Sequence, residues 1–137
     1  MNDFQRANSG LAKTLALGFV FLWFFLGGLA HFFFTDLEMK IVPPWLPEPR
    51  CLVLVSGVFE LLGAFGLLFA GTRKAAGWGL MVLTVAVTPA NIYMWRHANL
   101  FPELPYWALA ARLPFQGVLV ACIWWSTQRP PKTAATP

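Results

Sequence analysis

The chain has 137 residues, of which 58% are hydrophobic and 12% charged, and its mean hydropathy is +0.59. This composition excludes an ordinary soluble domain and indicates an integral membrane protein. A net charge of +4 could suggest nucleic acid, but the basic residues stand singly or in pairs at the ends of apolar segments. No nucleic-acid partner is therefore expected. Four apolar blocks, each near the roughly 20 residues that cross a bilayer, predict one domain over 1–137, an all-α integral-membrane four-helix bundle.

The first span is predicted over about 12–34 and is followed by a proline-rich connector. Near the end of the span, Gly27 and His31 are four residues apart and share one helix face. Three prolines within 43–47 exclude a helix there and favour extended backbone, and Trp45 between them suits the headgroup level. The sequence predicts an ordered outer cap over one end of the bundle, between the first and second helices.

The second span, about 51–71, contains Glu60, the only acid inside any long apolar segment. A charged group at that depth costs about 3 kcal/mol, so Glu60 should face protein or water. Helical spacing places small residues on the same side as Glu60, in a stripe that allows close helix packing: Ser56, Gly63, Gly66 and Ala70. A tight turn at 71–74 then predicts that the third span runs antiparallel beside the second.

The third span, about 75–95, carries a polar stripe of Thr84, Thr88 and Asn91 that Pro89 interrupts. Because proline removes a backbone donor, its neighbours must satisfy the carbonyl that it leaves. The pattern predicts a kink that aims Asn91 into the bundle.

The fourth span, about 106–127, has two interpretations at its start. It begins near Pro105 or, after an interfacial turn, at Leu113, so Pro114 is either an interior proline or a first-turn proline. Arg112 and Gln116, four residues apart, lie at its entrance.

The basic residues also predict orientation. The side of both termini carries six of them, and the other side carries four, which favours cytoplasmic termini in an up-down-up-down bundle. The first set is Arg6, Lys13, Arg73, Lys74, Arg129 and Lys132, and the second is Lys40, Arg50, Arg96 and Arg112.

The two cysteines are predicted to be unbridged. Cys51 opens the second span and Cys122 lies about ten residues into the fourth, so roughly 15 Å separates them along the membrane normal. The sequence has no CxxC motif, which argues against thiol-disulfide exchange by this chain alone.

With this topology, the polar residues of the spans fall in the same outer half of the bundle. They are His31, Glu60, Asn91, Arg112 and Gln116. The arrangement predicts a pocket that opens outward and is roofed by the 43–47 cap.

Glu60 and Arg112 each keep more than one interpretation. Glu60 is either a structural carboxyl bonded to Asn91 or Gln116, or a functional group for proton transfer or ligand binding. Arg112 either reaches the outer interface, holds an anionic headgroup or pairs with Glu60.

His31 could be a proton carrier, a donor to a quinone carbonyl, a metal ligand or an interfacial residue. A metal site needs three or more ligands in reach. Since His31, Glu60 and His97 come from three segments without diagnostic spacing, no metal site is predicted.

Five motifs in order resemble the DoxX-like family of small four-helix membrane proteins. They are GLAH at 28–31, IVPPWLP at 41–47, SGVFE at 56–60, PANIYM at 89–94 and RLPFQ at 112–116, and the resemblance covers about 13–125. It implies a protein of the bacterial inner membrane. The family's name comes from a subunit associated with thiosulfate:quinone oxidoreduction, and other relatives are linked to membrane redox complexes.

These observations lead to two functional hypotheses. The first is a membrane subunit of a redox system that binds a quinone or similar small molecule in the pocket, with His31 or Glu60 exchanging protons. Its expected ligand-binding residues are His31, Trp45, Glu60, Asn91, Arg112 and Gln116. The second is a non-enzymatic accessory or assembly protein that binds a partner in the bilayer. A homo-oligomer is compatible with both, and whether the chain is itself an enzyme stays open.

Overall fold

A computed structural model describes residues 3–128 of the chain, with side chains from residue 8 onward. The helices are α1 (Asp3–Phe33), α2 (Thr35–Glu38), α3 (Pro49–Leu68), α4 (Arg73–Ala86), α5 (Thr88–Arg96) and α6 (Tyr106–Gln128), with 3₁₀ turns at Met39–Ile41 and Ala98–Leu100. No strand occurs within these residues, so the all-α prediction is confirmed there. Arg129 and Lys132, which the orientation prediction uses, lie outside the described residues.

Within the described part of the chain, four stretches are long and apolar enough to cross a membrane: Asn8–Phe33, Pro49–Leu68, Arg73–Arg96 and Tyr106–Gln128. Their ends lie within a few residues of the predicted spans. The first and last of these helices differ in detail from the predicted spans. Helix α1 continues back through the polar N-terminal segment to Asp3, and Pro114 lies inside α6 rather than in its first turn.

The four spans pack as a closed ring, in which α1 contacts α3, α3 contacts α4, α4 contacts α6 and α6 contacts α1. Each of these helices contributes two side chains to a buried apolar core. The core residues are Val20, Phe24, Ala64, Leu67, Leu80, Met81, Leu119 and Ile123. They occupy the half of the bundle that lies away from His31 and Asn91.

Helices α1 and α3 approach closely where Gly57 meets Gly28. A Cβ on Gly57 would lie 2.7 Å from the His31 Cβ and 3.1 Å from the Gly28 carbonyl oxygen. Only glycine fits this crossing, since one of the two neighbours is backbone.

The predicted small-residue stripe of α3 is divided between two neighbouring helices. Gly63 meets the Leu80 side chain, and a Cβ on Gly66 would lie 2.8 Å from the Ala76 Cβ, so both glycines face α4. Glu60 instead faces α1, where its carboxylate lies beside Gly27. Ala70 follows the end of α3 and is exposed. The prediction that Glu60 and the small residues of α3 share one side of the helix is therefore wrong.

The turn between α3 and α4 is held by the side chains that follow it. The Thr72 hydroxyl donates to the Gly66 carbonyl at 2.8 Å, and Arg73 Nε donates to the Leu67 carbonyl at 2.9 Å. These bonds satisfy carbonyls that the end of a helix leaves without partners.

The third span is interrupted between Ala86 and Thr88, immediately before Pro89. The Thr84 carbonyl at this break accepts hydrogen bonds from Gln116 Nε2 at 2.8 Å and from the Thr88 hydroxyl at 3.4 Å. Asn91 is 7% exposed, so the predicted inward aim is confirmed.

The connector between α1 and α3 is more compact than predicted. After α2 and the Met39–Ile41 turn, the Leu46 amide donates to the Pro43 carbonyl at 3.0 Å, and Pro44 takes the second position of this turn, which suits its fixed φ. The prediction of extended backbone is therefore wrong. Trp45 is 67% exposed and packs edge-on against Tyr93, with ring centroids 5.9 Å apart.

Candidate functional site

A cavity of about 180 Å³ lies between the four spans, directly beside the apolar core. Its polar lining comes from Glu60, Thr84, Asn91, Arg112 and Gln116. The rest of the wall consists of Trp23, Phe24, Leu83, Val87, Phe115 and Leu119. A cavity of about 150 Å³ holds one benzene ring, whereas drug-sized ligands need roughly 300–1,000 Å³. The space therefore fits a single ring or a few water molecules.

Glu60 enters the cavity because α1 has no side chain at position 27. A Cβ on Gly27 would lie 2.7 Å from Glu60 Oε2, so glycine makes the room that the carboxylate occupies. The Glu60 side chain is 14% exposed, and its Oε1 lies 3.4 Å from His31 Nε2. Neither predicted partner, Asn91 or Gln116, is the one observed: each bonds elsewhere.

Arg112 is held at the cavity by α5. Its Nε donates to Asn91 Oδ1 at 3.0 Å, which answers the open question about its partner: Asn91, and not Glu60. Because Nε makes this bond, the two terminal nitrogens of the guanidinium are oriented by it and can donate to a further group. The proline break before Asn91 thus positions a cation at the cavity.

An aromatic pair that was not among the predicted site residues forms one wall of the cavity. The rings of Trp23 and Phe115 are tilted, with centroids 4.7 Å apart. A signal was available, because Trp23 precedes Gly27 by four residues and His31 by eight. This spacing places all three residues on one face of α1.

His31 lies behind Glu60 and does not line the cavity. Its Nε2 faces Glu60, and its Nδ1 pairs with the carboxylate of Glu38. The Thr35 hydroxyl donates to the His31 carbonyl at 2.6 Å, which ties the end of α1 to the short helix that carries Glu38. Glu38 was not predicted as a partner of His31, because it was assigned to the connector and in a continuous helix it would lie two turns, about 10 Å, from His31. The helix ends at Phe33 and restarts at Thr35.

No group of three His, Cys, Asp or Glu side chains suited to a metal ion occurs within residues 8–128. The geometry around His31 gives the reason, since its two carboxylates face opposite ring nitrogens and could not share one ion with the same nitrogen. Cys51 and Cys122 are both free, as predicted.

The structure therefore brings together four of the six predicted site residues: Glu60, Asn91, Arg112 and Gln116. His31 joins them only through Glu60. Trp45 lies apart from them against Tyr93, and the connector that contains it contributes nothing to the cavity wall. The predicted roof over the pocket is not observed.

Residues 20–127 match the family described as Domain of unknown function (DUF8561). The chain belongs to this family. The DUF8561 segment includes every residue of the cavity wall and both partners of His31. No curated protein and no solved structure matches the chain.

Proposed function

We propose that this DUF8561 protein is a multi-pass protein of the bacterial inner membrane that binds a quinone, or a similar small ring compound with polar ends, between its four spans. The observation that carries the proposal is the cavity itself. Its volume suits one ring, two aromatic side chains form a wall, and a carboxylate and a guanidinium enter it. Such a site combines apolar contact with a few directed polar groups, as small-molecule sites do.

Insertion into a bilayer is supported by the outward faces of the helices. Large apolar residues there are more than half exposed, among them Leu62, Val82 and Val118. In water, apolar surface on all sides of a bundle would promote aggregation, whereas lipid tails solvate it. We infer an up-down-up-down arrangement with both termini cytoplasmic, which the bias of basic residues supports. The cavity then lies in the outer half.

The polar groups suit both redox forms of such a ligand. A quinone presents carbonyl oxygens, which accept hydrogen bonds, and a quinol presents hydroxyl groups, which donate them. Arg112 can donate to a carbonyl oxygen, and Glu60 can accept the hydroxyl proton. The electrons of a quinol would pass to a redox partner protein, in agreement with the resemblance to DoxX-like subunits. The role of this chain is to bind the ring and to accept a proton.

Photolabelling with a short-chain azidoquinone tests the proposal. Leu119 lines the cavity and its neighbour Val118 is 64% exposed, so Leu119→Trp should fill the site while Val118→Trp serves as the matched control. We expect Leu119→Trp to abolish labelling and Val118→Trp to preserve it. The double variant Glu60→Gln, His31→Ala should label about tenfold less, since it removes a charged hydrogen-bonding group.

Equal labelling of Leu119→Trp and Val118→Trp would contradict the cavity as the binding site. Mass spectrometry of the labelled peptides gives a second criterion. The label should fall on the segments that contain Trp23, Glu60 or Phe115. A label confined to lipid-facing residues would favour the accessory role instead.

A further inference from the structure

Three titratable side chains connect the cavity with the surface at the end of the bundle that bears the 34–48 connector. Glu60 is in the cavity wall, His31 is behind it, and Glu38 follows on α2. Their side chains are 14%, 15% and 22% exposed in that order. Glu38 is thus the most exposed of the three, and each member contacts the next.

We propose that Glu60, His31 and Glu38 form a proton-transfer path between the cavity and this surface, with Glu38 as its outer end. The path deepens the proposed function, because it supplies the exit for a proton that a ligand gives to Glu60. The path rests on the proposed function only for the source of its proton, because the contacts among the three side chains require no bound ligand.

The chemistry of imidazole allows proton transfer at this position. A protonated ring donates from both nitrogens. A neutral histidine can donate from one ring nitrogen only, and it accepts at the other. His31 has a carboxylate at both nitrogens, so a neutral ring cannot donate to both at once. The proton can therefore occupy alternative positions along the three groups.

One passage proceeds in balanced steps. The Glu60 carboxyl proton moves to His31 Nε2 as the Nδ1 proton moves to the Glu38 carboxylate. This leaves Glu60 as carboxylate, His31 neutral with its proton on Nε2, and Glu38 protonated. Glu38 then releases the proton to water. The first tautomer is restored when Nε2 loses its proton to water and Nδ1 gains one from water. One proton has moved and no other group has changed.

Other charged groups near the path do not interrupt it. Arg112 on α6 interacts electrostatically with Glu38. Asp36 on α2 lies 3.7 Å from Arg50 on α3, and both are largely exposed. Their pair lies outside the contacts of His31.

Time-resolved infrared spectroscopy after photolysis of a caged proton tests the path with no quinone present. The carboxyl band of Glu60 is identified by its loss in Glu60→Gln. The full chain is reconstituted in vesicles of phosphatidylethanolamine and phosphatidylglycerol. We expect Glu38→Gln and His31→Gln each to lower the rate at which this band appears by about a hundredfold. Removal of a positioned proton-transfer group has effects of this order. Glu38→Asp should restore most of the rate.

Glu103→Gln is the matched control, because Glu103 is an exposed acid of the other long connector, and it should leave the rate unchanged. Equal rates in wild type, Glu38→Gln and His31→Gln would overturn the path. That result would leave the quinone site standing, whereas failed photolabelling with a normal infrared response would reject the quinone site alone.

Discussion

At the scale of single residues, the absence of a side chain at Gly27 determines where the Glu60 carboxylate lies. The carboxylate occupies the space that a Cβ would need. Because the obstructing atom is the end of a flexible side chain, an added methyl group would displace the carboxylate rather than the helices. The position of the functional group is thus more sensitive to this residue than the fold is.

Gly27→Ala should therefore weaken azidoquinone labelling several-fold while lowering the stability little. Gly18→Ala on the same helix is the control, because a Cβ there meets nothing within 4 Å. It should retain full labelling, and its stability should be unchanged or higher by up to about 1 kcal/mol, the difference in helix propensity. If both variants label like wild type, Gly27 does not position the carboxylate.

The sequence predicted the direction of Glu60 but not its partner. Because a carboxyl group that faces lipid is costly in free energy, a carboxyl in an apolar span must face inward. Glu60 faces inward in the structure. Helical spacing tells which face of a helix carries a residue, but it does not tell how far two packed helices are shifted along their axes. The shift between α1 and α3 is set by the contact of Gly28 with Gly57. It places Glu60 beside His31 rather than beside Asn91 or Gln116.

At the scale of helices, the contact between α1 and α3 depends on Gly57. A Cβ there would meet the His31 Cβ, the Phe32 ring and the Gly28 carbonyl oxygen at 2.7 to 3.1 Å. Backbone cannot move aside as the tip of a side chain can. The two helices would have to separate, and the Glu60–His31 contact would lengthen.

Gly57→Ala should accordingly destabilise the bundle by about 1–3 kcal/mol, the usual cost of overpacking. Gly79→Ala on α4 adds the same methyl group where nothing lies within 4 Å. Unfolding in a titration from mild detergent into sodium dodecyl sulfate measures both. A Gly57→Ala midpoint equal to that of Gly79→Ala would show that the close crossing does not contribute to stability.

Proline explains both a success and a failure of prediction at this scale. Pro89 lies inside an apolar span, where the missing donor has a definite consequence, and the break and the inward Asn91 follow from it. The prolines at 43–47 lie outside the spans, where several turns are sterically allowed. Composition excluded a helix there but could not select the turn at Pro43 or predict that α2 brings Glu38 to His31.

At the scale of the whole molecule, the bundle has two unlike halves. One half is filled by an apolar core from all four spans, and the other contains the cavity with its carboxylate, amides and guanidinium. Phe24 and Leu119 belong to both, so the packed half forms the floor of the cavity. Four apolar blocks predicted the bundle, and helical spacing places Trp23 on the face of Gly27. Only the packing shows that Phe115 joins Trp23 in the wall.

Native mass spectrometry of the chain released gently from membranes would show whether the cavity binds a small ring compound. We expect a bound molecule in stoichiometric amount, identified as a quinone after extraction, which is present in Val118→Trp and absent from Leu119→Trp. A bare chain, or one carrying only a partner protein, in both variants and in wild type would contradict the claim.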